Sequence, residues 1–62
     1  MDKRIKILIT MFDESELIWT APTEDRKTAI GILKGARWLE NGEPPDAEYI
    51  NTDYILKWEI KK

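Results

Sequence analysis

The chain has 62 residues, with 12 acidic and 10 basic side chains, a formal net charge of −2, and neither Cys nor His. That length suits one small hydrophobic core, and without Cys or His there is no disulfide and no ordinary zinc site to staple it. The mild acidity argues against a nucleic-acid binder driven by bulk charge and against a chain that imitates DNA with a dense acidic surface.

Met1-Asp2-Lys3-Arg4 leads into an apolar run that Lys6 interrupts. The run is too short for a secretion signal or a membrane span, so the expected location is cytoplasmic, which agrees with the lack of Cys. Residues 3–12 predict a strand, because Ile5, Ile7, Ile9 and Met11 alternate with a second set of side chains. Asp13-Glu14-Ser15-Glu16 is a polar break of turn-forming type, and Leu17 to Ala21 reads as the returning strand of an antiparallel hairpin.

A helix is predicted to open at Pro22-Thr23-Glu24-Asp25, with Thr23 as N-cap, and to run to about Asn41. Gly42 is placed as the stop, and Pro44-Pro45 forbids continuation. Ala29, Ile32, Leu33, Ala36 and Leu39 form the stripe that would cover the hairpin. The segment from Asp46 onward is strand-like, with Tyr54, Leu56, Trp58 and Ile60 alternating with Ile55, Lys57, Glu59 and Lys61. Asn51-Thr52-Asp53 is either a turn that splits off a short strand at residues 47–50 or a bulge in one long strand. The expected fold is therefore α+β: a small antiparallel sheet of three or four strands in the order β-β-α-β-β or β-β-α-β, with one helix on one face.

Chemistry-bearing motifs are sparse. Most nucleophilic and acid–base constellations need His or Cys. Ser15 is the only Ser, and it has no base beside it except carboxylates. No Gly-rich phosphate loop is present, since Gly31 and Gly35 fall inside the predicted helix and Gly42 follows it. Asp13, Glu14 and Glu16 lack the Gly and the distal Glu of a calcium loop and read as a solvated turn. The chain is expected to be no enzyme and to need no cofactor or metal.

Three surfaces invite a partner. On a helical wheel Trp38 falls opposite the buried stripe, beside Lys27, Gly31, Lys34 and Gly35. Two glycines in a helix cost about 1 kcal/mol each relative to Ala, and a groove for another backbone would explain them. The competing reading folds Trp38 onto Pro44 or Pro45. The second surface is acidic: Glu40, Glu43, Asp46 and Glu48 lie in a stretch, residues 39–56, with five acids and no Lys or Arg. Such a loop aids solubility or steers a basic partner. The third is the open face of the sheet, where Leu8, Phe12, Ile18 and Ile55 would make an apolar patch suited to self-association; Lys and Arg stems covering that face, or a half-closed barrel, are the alternatives. Trp19, Tyr49, Tyr54 and Trp58 are large enough to serve as core, or to stack single-stranded nucleic acid with Lys57, Lys61 and Lys62 nearby.

In size, in lacking Cys and His, and in its β-β-α-β-β rhythm the chain resembles the short accessory proteins of bacteriophages and mobile elements. The resemblance is one of character, without a shared motif, and it implies action by binding one host protein. The expectation is thus a non-enzymatic, dimeric inhibitor or adaptor that binds a protein with a basic surface, with a single-stranded nucleic-acid binder as the alternative.

Overall fold

The computed structural model describes residues 3–42 and 45–61. Among them, β1 (Lys6–Met11), β2 (Glu16–Thr20), α1 (Arg26–Gly35), β3 (Trp38–Asn41), β4 (Glu48–Asn51) and β5 (Ile55–Lys61) follow in chain order, with a 3₁₀ turn at Thr52–Tyr54 before β5. The fold is the α+β arrangement that the alternating runs imply. An antiparallel three-stranded sheet has the order β2-β1-β5, and β3 and β4 form a separate hairpin.

The β1–β2 connection is a tight three-residue loop. Glu14 N–H donates to Met11 O, Met11 N–H donates to Ser15 O, and Glu14 takes a φ of 71°. This is a type I turn closed by a left-handed residue, a position that usually favours Gly or Asn. Asp13 holds the turn from within: its Oδ1 accepts from the Ser15 N–H at 3.0 Å and from the Ser15 hydroxyl at 2.6 Å.

The helix is shorter than the sequence pattern suggests, and it starts later. Asp25, rather than Thr23, is the N-cap; its Oδ2 accepts from the Thr28 N–H at 2.8 Å and the Thr28 hydroxyl at 2.7 Å. Thr23 acts one step earlier, its hydroxyl oxygen accepting from the Asp25 N–H. The helix ends at Gly35, and Ala36 turns extended at ψ 144°. Thr52 captures the chain there: its Oγ1 lies 2.7 Å from Ala36 O, and its N–H donates to Arg37 O at 2.9 Å. Two poor helix formers at Gly31 and Gly35 weaken the last turns, and this long-range grip decides against continuation. Gly42, with φ 92°, accordingly serves the β3–β4 connection and not a helix end.

The core lies between the three-stranded sheet and a second layer made of α1 and the hairpin. Ile7, Ile9 and Trp19 come from the sheet, Ala29 and Leu33 from α1, and Leu39 and Ile50 from β3 and β4; with Ala21 they are the buried apolar residues. The register explains the selection, since Ile7 faces Trp19 and Ile60 while Ile9 faces Leu17 and Trp58, and directly opposed residues share a face. Leu39 is buried as its place in the apolar stripe suggests, but it arrives from a strand.

Two placements from the sequence are corrected. Trp38 does not belong to the outer face of the helix; it opens β3, where the pattern exposed, buried, exposed through Trp38, Leu39 and Glu40 is that of a strand. Ile55 does not lie on the open sheet face; it packs against the core. A bulge is the cause: the β1–β5 register passes from Thr10 opposite Lys57 to Met11 opposite Ile55, which skips Leu56 and turns Ile55 to the face of Met11. Leu56, passed over by this pairing, is 51% exposed and shares a hollow with Leu33 and Lys34 of α1. The Asn51-Thr52-Asp53 segment is a turn, with Asn51 Oδ1 accepting from the Asp53 N–H.

Candidate functional site

The hairpin is tied to the edge of the sheet by side chains rather than by a backbone ladder. The Trp19 indole donates from Nε1 to Glu40 O at 3.0 Å. Asn41 then reaches the edge of β2, its Nδ2 donating to Ile18 O at 3.1 Å and its Oδ1 accepting from the Thr20 N–H at 3.4 Å. A carboxamide carries the donor and acceptor of a peptide group, so Asn41 occupies the place a neighbouring strand would take. These bonds fix β3 beside β2 and leave Trp38 and Glu40 pointing outward from the hairpin.

An open cleft of about 560 Å³ lies where β2, α1 and the hairpin meet. Trp38, Glu40, Asp46 and Glu48 all line it, together with apolar wall from Pro22 and Ile32. Arg4 supplies a cation to the same lining. The sequence pattern puts the Trp and the carboxylates on two separate surfaces; in the fold they line one cleft. Glu40 sits in β3 opposite Tyr49, and Glu48 sits in β4 opposite Asn41. Trp38 is 54% exposed, so its ring is accessible to a ligand. Glu43, the fourth member of the acidic set, lies outside the described residues.

Three carboxylates and an exposed indole around one apolar wall form a chemistry suited to a cation with an apolar stem. The ring face attracts the charge, the carboxylates pair with its N–H groups, and Ile32 and Pro22 take the methylenes. Tyr49, 64% exposed on the same outer face of the hairpin as Trp38 and Glu40, extends the aromatic surface. Its strand parity is the signal that would have found it.

The remaining candidates are dispersed. Lys27, Gly31, Lys34 and Gly35 line the solvent side of α1, and a Cβ added at either glycine would meet nothing within 4 Å. Nothing among the described residues explains those two glycines. Leu8 and Ile18 face each other across β1 and β2 on the open side of the sheet. Phe12 leaves that face for the hairpin loop, where it shares a shallow hollow with Tyr54. With Ile55 turned inward, the apolar patch shrinks to the Leu8–Ile18 pair among Lys6, Glu16, Lys57 and Glu59. Of the four sheet aromatics, Trp19 is 1% exposed and Trp58 is half-buried against the core, while Tyr49 and Tyr54 are exposed.

No helix among the described residues is long and apolar enough to cross a membrane. Comparison with known proteins finds no family model, no curated sequence and no solved structure that matches this chain.

Proposed function

We infer that this chain is a protein-binding module whose acidic, Trp-bearing cleft takes an Arg- or Lys-containing segment of a partner protein. The convergence of Trp38, Glu40, Asp46 and Glu48 on one cleft supports this reading. A module of this kind acts by occupying its partner's basic surface, as an inhibitor or adaptor, and needs no reaction of its own. The absence of Cys suits a reducing compartment such as the cytoplasm.

The test is a titration with short synthetic peptides rich in Arg or Lys, against acidic peptides and a single-stranded oligonucleotide as controls. The basic peptides are expected to bind, more weakly as salt rises, and to lose affinity when Trp38→Ala or the triple change Glu40→Gln, Asp46→Asn, Glu48→Gln is introduced. Binding of the oligonucleotide alone, or basic-peptide binding untouched by those variants, would overturn the assignment.

A further inference from the structure

The two edges of the three-stranded sheet are unlike. The β2 edge is closed by the Asn41 carboxamide at Ile18 and Thr20, and by the hairpin behind it. The β5 edge has no such cover in the strand order β2-β1-β5. Which of its groups face outward follows from the hydrogen bonds of β1. Met11 N–H points to the β2 side, to Ser15 O, while Phe12 N–H points to the β5 side, to Tyr54 O. Direction alternates along a strand, so Lys6, Leu8 and Thr10 also point to β5. Their partners Lys61, Glu59 and Lys57 point back at β1. The main-chain N–H and C=O groups of Trp58 and Ile60 therefore project from the open edge.

We propose that β5 pairs antiparallel with β5 of a second copy of this chain about a twofold axis at Trp58, joining two three-stranded sheets into one of six strands. The charge order selects this register. Lysines along an edge ordinarily repel a second strand. Here Lys57 and Glu59 flank Trp58, so the twofold axis sets each Lys57 opposite the other copy's Glu59, twice over. Sliding the pair by one residue, to centre it on Glu59, would oppose Glu59 to Glu59 and Lys57 to Lys61. It would also leave Trp58 without its own counterpart. In the chosen register the exposed Leu56 meets the other copy's Ile60, covering an apolar side chain that is 51% exposed in the single chain. An edge contact fits the structure better than a face contact, because the open face retains only the Leu8–Ile18 pair within a ring of charge.

This inference is independent of the cleft, which lies beside β2 on the other side of the sheet. The experiment is sedimentation equilibrium of the full chain over the micromolar range, for the native sequence, Lys57→Glu, Glu59→Lys and the double swap. All these side chains are exposed, and circular dichroism checks that each variant is folded. The native chain is expected to dimerise, each single change to weaken the dimer roughly tenfold or more because both copies of the pair become repulsive, and the double swap to restore it. N-methylation of the Trp58 amide in a synthetic chain removes an outward donor and is expected to give monomer with the fold retained. A native chain that stays at 7.3 kDa throughout contradicts the proposal, as does a dimer indifferent to the swaps or to the N-methyl group.

Discussion

The Trp19 indole and the Glu40 carbonyl, 3.0 Å apart, join the two sheets of this protein together with the Asn41 carboxamide. Trp19 is also among the largest fully buried side chains, so it packs the core and positions the strand that carries the cleft. Replacing Trp19 with Phe keeps much of the packing and leaves Glu40 O without its donor, at an expected cost of about 1 kcal/mol in urea unfolding. Trp19→Ala removes both contributions, and a loss of about 3–5 kcal/mol is expected. That is a large part of the total stability of a domain this small. A Trp19→Phe variant as stable as the native chain would mean that the indole N–H bond contributes nothing beyond volume.

Glu14 is a second point where the fold and the residue type disagree. A non-Gly side chain in the left-handed region costs about 1–2 kcal/mol. Part of the gain from glycine is offset by the greater freedom of the unfolded chain. Glu14→Gly is therefore expected to stabilise the protein by about 0.5–1 kcal/mol, and Glu14→Val to destabilise it, since a β-branched residue tolerates this conformation least. Thermal unfolding of the two variants checks the sign of each change.

Two aspartates give the protein a defined response to acid. The hydroxyl and then the N–H of Ser15 hold the Asp13 carboxyl below its ordinary pKa, and the hydroxyl and N–H of Thr28 do the same for Asp25. In each case the folded state favours the charged form. Their contribution is thus complete above the unfolded value of about 3.9 and is lost as pH falls through the lowered folded value. Stability is expected to be level near neutrality on their account and to decline in that acid window. Asp13→Asn and Asp25→Asn, which keep an acceptor oxygen and cannot titrate, should flatten the decline. An unchanged acid limb in the double variant would assign acid unfolding to other groups.

Trp38 separates binding from stability. It stands outside the core on a short strand, so Trp38→Ala is expected to change unfolding free energy by less than about 1 kcal/mol. If the indole is the anchor of the cleft, the same change costs about 2 kcal/mol or more of affinity for a basic peptide. A large stability loss with affinity intact would mark Trp38 as structural.

The first hairpin, the presence of the helix and the last strand are legible in the sequence, because each rests on local periodicity and on turn residues close by. The stretch from Ala36 to Asn41 is not. Leu39 is the one fully buried residue there, and a single buried position fits a helical stripe and a strand equally well. What decides is Thr52, sixteen residues away, bonding Ala36 O. No window of sequence displays that contact. The Leu56 bulge escapes for a related reason: alternation carries facing forward one residue at a time, and one inserted residue reverses all that lie beyond it. The carboxylates and Trp38 were visible as types, while their place around one cleft depends on how the hairpin seats beside β2 and α1, which no local pattern displays.

The three indole N–H groups offer the most direct test of the cleft, because each occupies a different environment. In a ¹⁵N-labelled chain titrated with an Arg-rich peptide, the Trp38 indole signal is expected to move together with the amides of Glu40, Asp46 and Glu48. The Trp19 indole signal, bonded to Glu40 O inside the core, should move far less. Shifts that gather instead on Phe12 and Tyr54, on Gly31 and Gly35, or nowhere at all would contradict the account.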